Sequence, residues 1–352
     1  MKKLIEKYNN KYIGILEYFT LVVFLSRSFF NGIGFQKILS ISKQDTWIVI
    51  ITSLVFGIFF MSMIYLFNKK NLLESNNKVI NFILLIFVIV SFIIVLNDFV
   101  TFASLKYLFE TSNYFIAFLI LFPSLYIVNK GIETIGRTSL FMFFISILLF
   151  MINCIVLFKY IDFNNLKPML VLSNNNFFSS LIHTIIYTIS PILILNIIPK
   201  NNCKKINLCF IFGYIISTLS ILIIFFYITT VYNYKYMDLF NYPAYFILRK
   251  AEYKLIANGG NVLSLFFIID YFFTITIYLY LIKYISVKIF NYKNNIFYYA
   301  IIIICSFLSI ILLSNIIIKN IILNNILIYL LGFFMCFYIL ILYKKKLKKI
   351  KK

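Results

Sequence analysis

The sequence predicts an all-α integral membrane protein of about ten transmembrane helices, in a five-plus-five inverted repeat with broken first and sixth helices. Three observations predict it: composition, the spacing of the apolar runs, and matched interruptions in runs one and six. Of 352 residues, 62% are hydrophobic and 12% charged, and mean hydropathy is +0.97. A soluble domain carries roughly 25% charged residues. Runs near the ~20 residues that a helix needs to cross the hydrocarbon account for the apolar excess. The abundance of Ile, Asn, Lys, Phe and Tyr points to an AT-rich coding bias behind part of the aromatic and Lys content.

Apolar segments fall at about 13–38, 46–67, 79–105, 114–129, 139–160, 177–198, 206–231, 262–287, 296–318 and 321–343. The first run is too long for a signal h-region and lacks a small-x-small cleavage site, so it is expected to stay in the protein. A single transmembrane domain over 1–352 is expected. Its repeats would cover about 13–160 and 177–343, with a lid-like loop at about 232–261 and a basic tail at 344–352.

Net charge is +22. In a soluble chain this would prompt a nucleic-acid partner, but here the Lys residues sit between apolar runs and in the tail, so topology explains them instead. With the N-terminus inside, 22 Lys and Arg fall on the cytoplasmic side and 10 outside, with Arg27 inside the first segment. The asymmetry predicts both termini cytoplasmic in a multi-pass cell-membrane protein. The tail reads first as an orientation signal and second as a surface for anionic lipid headgroups.

Cys154, Cys203, Cys209, Cys305 and Cys336 match neither a disulfide framework nor a zinc site, and read as small packing residues. In the loop, Pro243 opens a short stretch that closes at Asn258-Gly259-Gly260-Asn261. Pro at a helix start and Gly after its end predict a short amphipathic helix, placed to cover an outer vestibule.

Segment one reads Ser26-Arg27-Ser28-Phe29-Phe30-Asn31-Gly32-Ile33-Gly34. Two Gly and several polar residues at mid-membrane weaken a helix, and unwound backbone there offers free N–H and C=O groups to a ligand. Segment six reads His183-Thr184-Ile185-Ile186-Tyr187-Thr188-Ile189-Ser190-Pro191. Pro191 lacks a backbone donor and clashes with the preceding turn. Secondary transporters place their site at mid-membrane where matching helices of inverted halves are broken, and halves of five helices are necessarily inverted.

Ionisable side chains inside a membrane are costly and default to functional hypotheses. Arg27 at the first break, Asp98 in segment three, Asp270 in segment eight and His183, the single His, qualify. Against ligand contact stands a structural reading: Arg27 pairs with Asp98 or Asp270, and His183 is a packed neutral imidazole. Glu17 reads as snorkelling to the interface. The candidate ligand-binding set is Ser26, Arg27, Ser28, Asn31, Gly32, Gly34, Asp98, His183, Thr184, Tyr187, Ser190 and Asp270. No nucleophile motif, phosphate loop or metal cluster is legible, so neither an enzyme nor a cofactor is expected.

Four short stretches carry a resemblance. Lys43-Gln44-Asp45-Thr46-Trp47-Ile48 opens the second segment. Asn129-Lys130-Gly131-Ile132-Glu133-Thr134-Ile135-Gly136-Arg137 precedes the fifth. Asn165-Leu166-Lys167-Pro168-Met169-Leu170 precedes the sixth, and Tyr242-Pro243 lies in the long loop. In order and spacing they resemble the spore-germination receptor B-subunit family, of the amino acid–polyamine–organocation superfamily, over roughly 12–343. The resemblance implies the five-plus-five inverted repeat and an amino acid permease-like chain. It also implies a nutrient-sensing subunit beside an A subunit and a lipoprotein C subunit, in the spore inner membrane if the host sporulates. The family's acidic-Arg motif before segment eight is absent; Asn258 to Ser264 stands there.

The expectation is therefore a permease-like germinant-receptor subunit that binds a small nutrient, an amino acid, between segments one, three, six and eight. Arg27 would meet a carboxylate, and Asp98 or Asp270 an ammonium group. An ion-coupled amino acid transporter is the alternative, and a membrane scaffold with a decayed site is the third reading.

Overall fold

The computed structural model describes residues 13–30, 34–67, 78–195, 204–232, 240, 242–250, 260, 264–290, 296–314 and 332. In chain order the helices are α1 (Ile15–Phe29), α2 (Phe35–Ser42), α3 (Thr46–Phe67), α4 (Lys78–Lys106), α5 (Asn113–Lys130) and α6 (Ile132–Phe158). They continue as α7 (Asn174–Leu195), α8 (Lys204–Val231), α9 (Pro243–Lys250), α10 (Leu265–Phe290) and α11 (Ile296–Ser314). Helix is the expected answer, because hydrocarbon offers no partner for an unpaired backbone group. Among the described residues, six stretches are long and apolar enough to cross a membrane: Phe35–Ser62, Asn81–Lys106, Asn113–Lys130, Ile132–Phe158, Leu208–Val231 and Leu265–Phe290. All of the predicted segment at 321–343 except Gly332, and the tail at 344–352, lie outside the described residues, as does most of the loop at 232–261.

Burial sorts the helices into an inner and an outer set. α10 packs against α1, α4, α5, α6 and α11, and α1 packs against α6, α7, α8 and α10. These two helices form the centre. The outward face of α6 instead presents Phe141, Phe144, Leu148, Met151, Ile155 and Phe158, all well exposed. In a membrane such a face meets lipid.

Small residues set the closest approaches. A Cβ at Gly213 of α8 would lie 2.8 Å from Val22 on α1. One at Gly57 of α3 would fall inside the Tyr214 ring of α8, whose hydroxyl donates to the Ser53 carbonyl at 3.1 Å. Helix pairs in lipid gain from such contact, because no hydrophobic force drives them together.

Two predicted features are corrected. The stretch Asn129–Arg137 is not a loop before a fifth helix that starts at 139. Gly131 turns the chain with φ at 104°, and α6 starts at the next residue with Glu133 in its first turn. A left-handed φ suits glycine, so one residue suffices as the connection. The predicted break of the sixth helix also fails, because α7 runs through position 191 to Leu195. Membrane helices tolerate proline where neighbouring groups or local adjustment satisfy the freed carbonyl, and α5 likewise contains Pro123.

α1 stops at Phe29 and α2 starts at Phe35. Phe30 and Gly34 have π-helical hydrogen bonding and helical dihedrals, and Asn31, Gly32 and Ile33, on which the predicted first break falls, lie outside the described residues. Phe30 and Phe35 pack edge to face across the gap, 4.9 Å between ring centres. The predicted amphipathic helix also forms as α9, with Pro243 as its first residue. Lys106 at the end of α4 lies 3.9 Å over the Phe246 ring and 5.2 Å over Tyr245, which fixes α9 against that end of the bundle. A small apolar cavity of about 20 Å³ lies beneath it, between Phe150, Cys154, Tyr227, Ala244, Ile247 and Phe266.

Candidate functional site

The last turn of α1 delivers Ser26, Arg27 and Ser28 to the interior, all buried. Each hydroxyl is satisfied locally. Ser28 donates to the Leu25 carbonyl at 3.0 Å, and Ser217 of α8 donates to Ser26 Oγ at 2.8 Å. Arg27 crosses to α10 and donates to Asp270 Oδ1 at 2.6 Å. Both side chains are buried, so each charge depends on the other in a medium where an isolated ion is very costly. The Arg27 Nε has no hydrogen-bond partner among the described residues. The guanidinium lies 5.8 Å over the Phe24 ring.

One residue along α10, Tyr271 donates its hydroxyl to Asp98 Oδ2 on α4 at 2.6 Å. From the loop before α9, Tyr242 donates to Asp98 Oδ1 at 3.0 Å and to the Asp98 carbonyl at 3.1 Å. Burial, and then the neighbouring Asp98 charge, hold the Tyr242 phenol well above its ordinary range, so it remains a donor. Of the two acids weighed as partners for Arg27, Asp270 takes the role, and Asp98 is held by two tyrosines.

On α7, Thr184 donates to the Ser180 carbonyl at 2.7 Å and Thr188 to the Thr184 carbonyl at 2.8 Å, spending both hydroxyls on their own helix. Tyr187 and Ser190 are fully buried, and neither hydroxyl has a partner among the described residues. Tyr187 stacks against His183, ring centres 6.2 Å apart. His183 is half-buried, and its Nδ1 has no partner among the described residues.

Segments one, three and eight are joined, Arg27 with Asp270 and Asp98 with Tyr271, and α7 packs against α1. Gly34 is buried just before α2. Asn31 and Gly32 lie outside the described residues. None of the predicted residues lines the cavity under α9. The Glu17 carboxylate accepts the Gly14 N–H at 2.9 Å and caps α1.

Sequence reasoning missed Tyr271, Tyr242 and Ser217 as members of this network. The chain has 27 tyrosines, so one more beside an acid carried no signal. It also counted Lys283 as a loop charge. Lys283 is buried in α10 and donates to Asn129 Oδ1 at 2.8 Å, while Asn129 Nδ2 donates to Tyr299 at 2.9 Å.

The resembling stretches pack together as well. Gln44 Nε2 donates to the Pro168 carbonyl at 2.8 Å, and Asp45 accepts backbone N–H groups from residues 170–172. Gly136 sits against Glu17, where a Cβ would approach the carboxylate to 2.6 Å. Residues 12–317 match the model of the spore permease family, described as spore germination protein.

The chain belongs to this family.

The match covers α1, the four stretches and α10, so every residue of the buried network falls within the spore germination family region. The protein is therefore a germination-related, permease-like membrane protein. No curated protein matches the chain.

Proposed function

We propose that this spore germination family member is the permease-like subunit of a nutrient-germinant receptor and binds an amino acid between α1, α4, α7 and α10. The carrying observation is the buried Arg27–Asp270 pair at the end of α1. A free amino acid carries one carboxylate and one ammonium. Inserted between these side chains, it would give its carboxylate to Arg27 and its ammonium to Asp270, so each fixed charge keeps an opposite partner. The unpartnered Arg27 Nε, Tyr187 hydroxyl and Ser190 hydroxyl supply further hydrogen-bonding capacity.

The family's permease character supports a five-plus-five repeat over about 13–160 and 177–343, with both termini cytoplasmic and α9 as a lid. It supports a binding protein rather than an enzyme. Partnership with A and C receptor subunits, and residence in the spore inner membrane, follow from the same reading.

A thermal-shift screen of the purified chain against the common amino acids tests it. Ligand at 100 times Kd stabilises the folded state by about 2.7 kcal/mol. A hit that Arg27→Ala or Asp270→Asn abolishes supports the site, and no hit against a cooperative melt counts against it. Ion-coupled transport is the second reading, favoured by two buried carboxylates, Asp98 and Asp270, on helices that pack against each other. Uptake into vesicles that collapses with the ion gradient would select it over sensing.

A further inference from the structure

Asp45 is almost fully buried, at 1% exposure, in the short turn before α3. Its carboxylate accepts three backbone N–H bonds from the α6–α7 connection: Leu170 at 2.8 Å, Val171 at 2.7 Å and Leu172 at 3.0 Å. Beside it, Gln44 holds the Pro168 carbonyl. At the other end of the connection, Asp162 N–H and Asn165 Nδ2 both donate to the Thr230 carbonyl of α8, at 3.1 and 2.8 Å. The connection is fastened at both ends.

The fastening sets the backbone in an unfavourable shape. Leu170 takes φ of 63°, a region that costs a non-glycine residue roughly 1–2 kcal/mol. With its N–H turned in to Asp45, its side chain is 75% exposed, and Val171, Met169 and Phe163 are 62%, 48% and 64% exposed. A water-facing loop gains nothing by holding four apolar side chains outward at a cost in backbone energy. An outlier of this kind points to function.

The bilayer surface fits this patch. The connection joins two helices with lipid-facing sides, marked by exposed Phe158 at the end of α6 and exposed Phe178 and Ile182 near the start of α7. It also carries exposed Lys159 and Lys167, and the Lys159 ammonium lies 4.7 Å over the Tyr160 ring. Apolar side chains flanked by lysine and tyrosine form the pattern that settles at the headgroup level.

We propose that residues 159–171 form an interfacial anchor. Phe163, Met169, Leu170 and Val171 seat at the headgroup–acyl boundary of the leaflet on their side, Lys159 and Lys167 face lipid phosphates, and Asp45 sets the depth. The proposal does not rest on the nutrient reading.

Trp47 is the single tryptophan. In a Trp47→Phe background, Leu170→Trp therefore reports the position of the patch. The protein is placed in vesicles of phosphatidylcholine and phosphatidylglycerol carrying bromine either near the headgroup or near the bilayer centre. Blue-shifted emission, quenched most by the shallow bromines and little by aqueous iodide, is the expected result. Adding Asp45→Ala should abolish the lipid quenching and open the reporter to iodide. A reporter in the parent background that iodide quenches and brominated lipid ignores overturns the anchor, and leaves the patch in water or under a protein partner. That arm decides the anchor even if Asp45→Ala fails to fold. Unchanged quenching in a folded Asp45→Ala protein overturns the role of Asp45.

Discussion

Tyr271 donates its hydroxyl to Asp98 at 2.6 Å, one residue beyond the Asp270 that holds Arg27. Two adjacent residues of α10 thereby tie the end of α1 to α4, and through Tyr242 to the loop before α9. Four predictions follow from this arrangement and from the packing around it.

Arg27→Ala should destabilise the protein by about 3–5 kcal/mol, because it takes the guanidinium from a buried carboxylate. Arg27→Met with Asp270→Leu should recover most of that loss, since an apolar pair of similar volume needs no compensating charge. The double variant should still fail to respond to any amino acid. Melting curves in detergent, with and without the ligand found by the screen, check both halves.

Tyr187→Phe removes a buried hydroxyl that has no partner among the described residues. Loss of an unsatisfied polar group is neutral or stabilising, on the scale of about 1 kcal/mol. A melting temperature equal to or above that of the parent, with a weakened ligand shift, would identify the hydroxyl as a ligand contact. An undiminished ligand shift would remove Tyr187 from the site.

Tyr242→Phe should release the loop before α9 from Asp98 and cost about 1–3 kcal/mol, the range for a hydrogen bond to a charged group. Faster hydrogen exchange confined to residues 242–250 would show that this bond latches the lid. Exchange rising equally throughout the bundle would instead mark a general loss of packing.

Gly57→Ala places a Cβ inside the Tyr214 ring, whose hydroxyl is tied to Ser53. Overpacking of this kind costs about 1–3 kcal/mol. Gly136→Ala should cost less, because the Glu17 carboxylate it meets ends a flexible side chain. Thermal melts of the two variants side by side test the order, and Gly57→Ala combined with Tyr214→Leu should regain stability.

Much of the site was legible because hydrocarbon makes polar residues conspicuous. Arg27, Asp98 and Asp270 stand out in apolar runs. The same logic misled at Pro191, where a residue that breaks a helix in water is carried through in α7. It also failed at Gly131, where a turn shorter than expected lengthened α6.

The sequence by itself determined the membrane class, most segment positions and which ionisable residues needed partners. Each of these depends on local composition against a fixed hydrocarbon thickness, which one stretch of chain reveals alone. Only the tertiary structure decided that Arg27 chooses Asp270 over Asp98, that two tyrosines take Asp98, and that Asp45 holds residues 170–172. Those choices depend on which helix faces meet across more than a hundred residues of chain. Several acids and dozens of hydroxyls were chemically eligible for each bond, and only packing geometry brings one pair to within 3 Å.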